Sequence, residues 1–135
     1  MRKNRYAFTL IELLVTISII GILSVIALVA VNVVRETGRD AKRKTDLETI
    51  RTALELYKAD AGVYPSPPLS TSIAYGTKTY LATVPTDPSA GRTYSYNYID
   101  ASKTYTLCAA LEGSTGDTAD CSVCTVACTY KVTNP

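Results

Sequence analysis

The chain has 135 residues, fourteen Lys or Arg against twelve Asp or Glu, and neither histidine nor tryptophan. Without histidine it lacks the commonest general base and the commonest metal-binding imidazole. Three of its basic residues are Arg2, Lys3 and Arg5, and without them the remainder is net −1, which offers no electrostatic footprint for nucleic acid.

From Phe8 to Val34 the only charge is Glu12. A helix of that length spans about 40 Å at 1.5 Å per residue, against the ~30 Å of a bilayer's hydrocarbon. The segment is therefore long enough to cross a membrane or to fill an equally dry interior. A basic start followed by an apolar run also describes a signal peptide, but the apolar core of a signal peptide is about 7–15 residues and ends at an A-x-A-like site. Here the run is longer and no such site closes it. Positive residues favour the cytoplasmic side, so the leader is expected in the cytoplasm and everything after residue 34 outside it. Glu12 is the anomaly. A carboxylate at the centre of a membrane helix costs about 2.5–3.5 kcal/mol by the lower estimates, and less near an end, where it can snorkel to the interface.

Residues 35–62 are charged on most sides and apolar on one. Leu47, Ile50, Leu54, Tyr57 and Ala61 recur at steps of three and four, the stripe of an amphipathic helix. Asp40 with Lys44, Arg51 with Glu55 and Glu55 with Lys58 stand at spacings that give weak mutual support. Gly62, then Pro65, Pro67 and Pro68, mark the stop. One helix is thus expected from about 8 to 61. Residues 63–91 carry five of the six prolines and read as a long connection, with a helical turn at Lys78–Thr83. Three strands follow. Tyr94, Tyr96 and Tyr98 alternate within 92–99, Tyr105, Leu107, Ala109 and Leu111 within 104–111, and Cys128, Tyr130 and Val132 within 127–133. Asp100–Lys103 turns the first strand antiparallel onto the second. The fold class is α+β: one long helix whose second half covers a small antiparallel sheet.

The run Ala7-Phe8-Thr9-Leu10-Ile11-Glu12-Leu13-Leu14, behind a basic leader, resembles the processing site of type IV pilins and type II secretion pseudopilins. The resemblance implies a prepilin peptidase cut between Ala7 and Phe8, N-methylation of Phe8, and a role for Glu12 in aligning an incoming subunit during filament assembly. Ala7 stands where the family usually has glycine, and Val29 where many members have a helix-bending proline. Thr45–Pro65, and Val84-Pro-Thr-Asp-Pro88 followed by Tyr94-Ser-Tyr96, look like the head of the major pseudopilins. The likeness can be followed over residues 1–111.

On this reading residues 1–7 are a cleaved leader, 8–34 a transmembrane or filament-core helix, 35–62 its amphipathic continuation, and 63–135 the extracytoplasmic head with a Cys-rich tail. Function is structural: a subunit of a type IV pilus or a type II secretion pseudopilus. Its expected partners are copies of itself, other pilins or pseudopilins, the prepilin peptidase, membrane lipid before assembly, and the assembly machinery. Its location is a single-pass cytoplasmic membrane protein that passes into an extracytoplasmic filament. The rival reading is a signal-anchored extracytoplasmic domain that binds a ligand as a monomer.

No Ser-His-Asp, Cys-His or Gly-rich phosphate-loop pattern occurs, so no catalytic residues are assigned. Alternating tyrosines without basic neighbours are read as core rather than as a stacking platform for bases. Major pseudopilins bind calcium in a C-terminal loop, and here Asp117 and Asp120 are the candidates, but they do not reproduce an Asp-x-Asp-x-Asp-Gly loop, and a solvated loop is preferred. No cofactor is expected. Cys108, Cys121, Cys124 and Cys128 suit two disulfides in an oxidising compartment, with three connectivities open. The strand phases turn Cys108 away from the core and Cys128 toward it, which disfavours a Cys108–Cys128 bridge. A four-thiolate zinc site is the alternative.

Overall fold

A computed structural model describes residues 8–99, 103–114, 121 and 127–134. The chain divides into two compact units, Met1–Arg35 and Glu36–Pro135.

The first unit is helical. Helix α1 is Leu10–Ala61, and the first unit contains no strand of its own among the described residues. Its large apolar side chains are exposed around the whole circumference, from 45% at Val31 to 81% at Leu10. An 18-residue window reaches a mean hydropathy of 2.9. Thr16, Ser18 and Ser24 return their hydroxyls to the carbonyls of Leu13, Leu14 and Ile20 at 2.7–2.8 Å. Their polarity is thereby met within the helix, as a dry environment demands.

In the second unit the rest of α1 packs on β-structure. Leu47, Ile50, Ala53 and Leu54 are buried, with Tyr57 packed partly against them. Gly62 ends the helix with φ 78° and donates its N–H to Lys58 O at 2.8 Å, a left-handed stop that glycine adopts without Cβ strain. Strands β3 (Ser95–Ile99), β4 (Thr104–Ala109) and β5 (Tyr130–Thr133) form an antiparallel sheet in that order, with Ile99 opposite Thr104 and Ala109 opposite Tyr130. Tyr105, Leu107, Ala109 and Val132 bury one face against the helix stripe, and Tyr94, Tyr96, Tyr98 and Tyr130 pack around it.

The expected helical turn at 78–83 is instead a strand. β1 (Ile73–Tyr75) and β2 (Lys78–Leu81) form a hairpin, with Tyr75 opposite Lys78 across the two-residue turn Gly76-Thr77. Gly76 sits at φ 60°, which suits the turn geometry that follows strand twist. Two short runs rich in aromatic and β-branched residues around a glycine were the missed signal.

The tyrosine hydroxyls are used inside the head. Tyr94 donates to Asp46 at 2.8 Å, Tyr96 to Pro65 O at 2.7 Å, and Tyr64 and Tyr105 to Glu55 at 2.9 and 3.1 Å. Burial, followed by the carboxylates for Tyr94 and Tyr105, pushes these phenols up, Tyr64 to about 12. Glu55 and Lys58 therefore meet at the Tyr64 hydroxyl rather than each other. Arg51 reaches Glu48, not Glu55.

Candidate assembly site and the stabilising clusters of the head

The start of α1 is built around Glu12. Thr9 precedes the helix and Glu12 is its third residue. Thr9 N–H donates to Glu12 Oε2 at 2.8 Å, Thr9 Oγ1–H donates to the same oxygen at 2.8 Å, and Glu12 N–H donates back to Thr9 Oγ1 at 3.3 Å. This is a reciprocal capping box, which meets donors that a helix start otherwise leaves orphaned. The T-x-x-E spacing before an apolar run carries that signal, and the sequence reading took only Glu12 from it. The carboxylate is also placed at the positive end of the helix dipole. Phe8, immediately before Thr9, is exposed, and Ala7 lies outside the described residues.

A second cluster was not foreseen. Arg43, with no exposed surface, extends the core stripe one step before Leu47. Its Nε and Nη2 fork Asp87 at 2.8 and 2.9 Å, Nη1 meets Asp40 at 2.7 Å, and Nη2 also meets Ser89 Oγ and Glu112 Oε1 at 2.8 Å each. Arg39 holds the other side of Glu112. Asp40 accepts the N–H groups of Glu112 and Gly113 at 2.9 and 3.0 Å, so its partner is Arg43 rather than the expected Lys44, which lies over the Tyr130 ring. Glu112 is drawn well below the usual carboxylate range, first by the Arg39 bond and against burial, then by Arg43 and Ser89. Burial pushes Asp87 and Asp40 up, but Arg43 and the backbone N–H donors outweigh it and both end lowered. The hub ties α1, the 87–89 loop and the chain after β4 together. Among the described residues no buried side-chain polar atom lacks a partner.

The third cluster is sulfur. Cys108 is bridged to Cys121, with Cα atoms 6.1 Å apart, and Cys128 is also disulfide-bonded. The sulfurs of Cys108, Cys121 and Cys128 lie within 4.8 Å of one another. Cys108 does point away from the Leu107 face, yet it is buried, as is its register neighbour Ser95. Alternation sets only the direction of a side chain, and on that side Cys108 is bonded to Cys121. Cys128 was expected on the core face with Tyr130 and Val132. It precedes β5, so the alternation does not reach it, and its sulfur joins that of Cys108 instead. Cys124, Asp117 and Asp120 lie outside the described residues.

One cleft of about 520 Å³ lies over Ile50 and Leu107, walled by Pro67, Pro85, Tyr94 and Tyr96. Its charged lining residues, Asp87 and Arg92, are engaged with Arg43 and with Ala110 O.

The profile described as "Prokaryotic N-terminal methylation motif" matches residues 2–28, and that described as "Type II secretion system (T2SS), protein G" matches residues 31–123. The chain belongs to the type II secretion system protein G family. As a protein G family member it is a pseudopilin, and its apolar N-terminal helix fits a membrane-anchored, extracytoplasmic subunit. The match continues past Leu111, where the resemblance in sequence could no longer be followed. The type II secretion system core protein G of Pseudomonas aeruginosa is 35% identical over 65 residues, which cover 48% of this chain and 46% of that protein. The chain thus aligns with about half the length of that relative. No solved structure matched.

Proposed function

We propose that this protein is the subunit of a type II secretion pseudopilus, cut between Ala7 and Phe8, methylated on Phe8, and assembled from the membrane with copies of itself and other pseudopilins. The leader stays in the cytoplasm and residues 35–135 face outward. The observation that carries the reading is the capped Glu12 at the head of an apolar helix exposed on all sides. Such a helix has its apolar partners elsewhere, first in lipid and then in neighbouring helices. Thr9 keeps the carboxylate hydrogen-bonded while the subunit waits. The Phe8 amine that cleavage creates on an incoming subunit is a stronger, charged partner. Exchange of Glu12 from Thr9 to that amine would satisfy both charges and fix the axial register. Processing and assembly are thereby linked, because the amine exists only after cleavage.

The test is Glu12→Ala in a strain lacking the wild-type subunit, with processed protein in membranes measured against sheared filaments. Insertion and cleavage should persist, since removing a charge eases insertion, while filaments are lost. Glu12→Asp should fall between, because the shorter side chain reaches less far. Normal filaments from Glu12→Ala would sink the assembly role.

A further inference from the structure

We propose that Asn32 is a second contact between copies of this chain: its side-chain amide bonds to a polar group on a neighbouring helix of the filament. The inference rests on the proposed function and adds to it a partner that Glu12 does not supply.

Six polar side chains interrupt the apolar run from Phe8 to Val34: Thr9, Glu12, Thr16, Ser18, Ser24 and Asn32. Five of them are satisfied within their own turn. Thr9 and Glu12 cap each other, and Thr16, Ser18 and Ser24 donate to the carbonyls of Leu13, Leu14 and Ile20. Asn32 is the exception. Its side chain is exposed and makes no hydrogen bond among the described residues. A hydroxyl closes easily onto the carbonyl one turn back. A primary amide has two N–H donors and a carbonyl oxygen to place, which is more than one preceding carbonyl can take.

In the membrane water meets that need. The hydrocarbon takes about 20 helical residues, so a span that begins at Phe8 ends near Leu28, and Asn32 lies one turn on, at the interface. Among packed helices the water is gone. An amide buried there without a partner is costly, and Asn side chains bond across apolar helices in such surroundings. Asn32 follows Glu12 by 20 residues, which at 3.6 residues per turn places it about 200° round the helix. The two groups therefore face different neighbours. Glu12 sets the level of one copy, and Asn32 binds another on the opposite side.

The test places Asn32→Leu, Asn32→Thr and Asn32→Gln in the full chain, each in a strain lacking the wild-type subunit. Processed protein in membranes is measured against sheared filaments. Leu is the better helix former and the more apolar side chain, so helix, insertion and cleavage are kept. Thr closes onto the carbonyl one turn back, as Ser24 does onto Ile20 O. It removes the contact while leaving the subunit easier to draw out of lipid than Leu does. The filament-to-membrane ratio should fall about threefold or more for both, and Gln, which keeps the amide, should restore most of it. Filaments that Leu and Thr still form should release subunits into mild detergent faster than wild-type filaments do, which locates the contact between copies rather than at the assembly machinery. A wild-type ratio for either variant overturns the contact. So does a loss with Leu that Thr does not share, which is the cost of extraction from lipid, and so do residual filaments as stable as the wild type. Each of these leaves the proposed function standing. A wild-type chain that keeps Met1 and forms no filament overturns both.

Discussion

The two units solve opposite problems with the same helix type. Up to Arg35 the helix keeps its apolar side chains exposed and meets most of its few polar groups within a turn: Thr16, Ser18 and Ser24 on the preceding carbonyls, Glu12 on Thr9. From Glu36 onward the apolar stripe is buried by its own chain, and the polar groups find partners far away in sequence, Arg43 with Asp87 across 44 residues and with Glu112 across 69. On the proposed function, local satisfaction suits a segment whose surroundings change between lipid and neighbouring helices. Long-range satisfaction suits a head that must hold one shape while it is carried.

The sharpest way to break that contrast is Arg43→Met. It keeps the apolar stem but takes the guanidinium from Asp87, whose side chain is 1% exposed, leaving Glu112 to Arg39 and Asp40 to its backbone N–H donors. Breaking a buried ion pair by removing one partner costs about 3–5 kcal/mol. Urea unfolding of the full chain in micelles, followed by tyrosine circular dichroism, should show a loss of that size at pH 7. The loss should shrink below about pH 4, where the stranded carboxylate protonates.

A smaller effect is expected from pH alone on the wild-type head. Asp40, Asp87 and Glu112 are held below their ordinary values, so their contribution is present above about pH 4 and fades as pH falls through the lowered values. The tyrosines titrate in the opposite sense. Tyr64 is raised to about 12, so its contribution is intact below about pH 10, is lost as pH rises toward 12, and amounts to about 2–3 kcal/mol at 1.36 kcal/mol per unit. Stability measured from pH 3 to 12 should form a plateau with both limbs. A flat alkaline limb would mean that the tyrosine hydroxyls are not committed to their partners.

The smallest effect concerns the first unit. Thr9→Val removes the capping hydroxyl and should cost the helix start about 0.5–2 kcal/mol. Hydrogen exchange at residues 10–13 should quicken, with no change in the urea midpoint of the head. A shifted midpoint would show that the two units do not keep their stabilities apart.

Particular residues show what was legible. The Leu47–Tyr57 stripe, Gly62 and the Tyr/Leu alternation of β3 and β4 announced the helix, its stop and the sheet, because period and punctuation are local properties. Arg43 was not legible, although it falls on the same stripe. A charge on a helix reads as solvated until its partners are known, and these come from a loop and from the end of a strand. The hairpin at Gly76 was overlooked because two strands of three and four residues carry little periodicity. Thr9 was legible as half of a capping box, since Thr-x-x-Glu stands directly before an apolar run.

On the proposed function, the apolar helix with its capped Glu12 is an assembly device released by processing. Intact-mass and N-terminal peptide mass spectrometry of the protein taken from native membranes and from sheared filaments tests it most directly. The expected chain lacks residues 1–7 and carries one methyl group on the Phe8 amine. Assembled protein that still begins at Met1 would contradict it and favour a signal-anchored monomer.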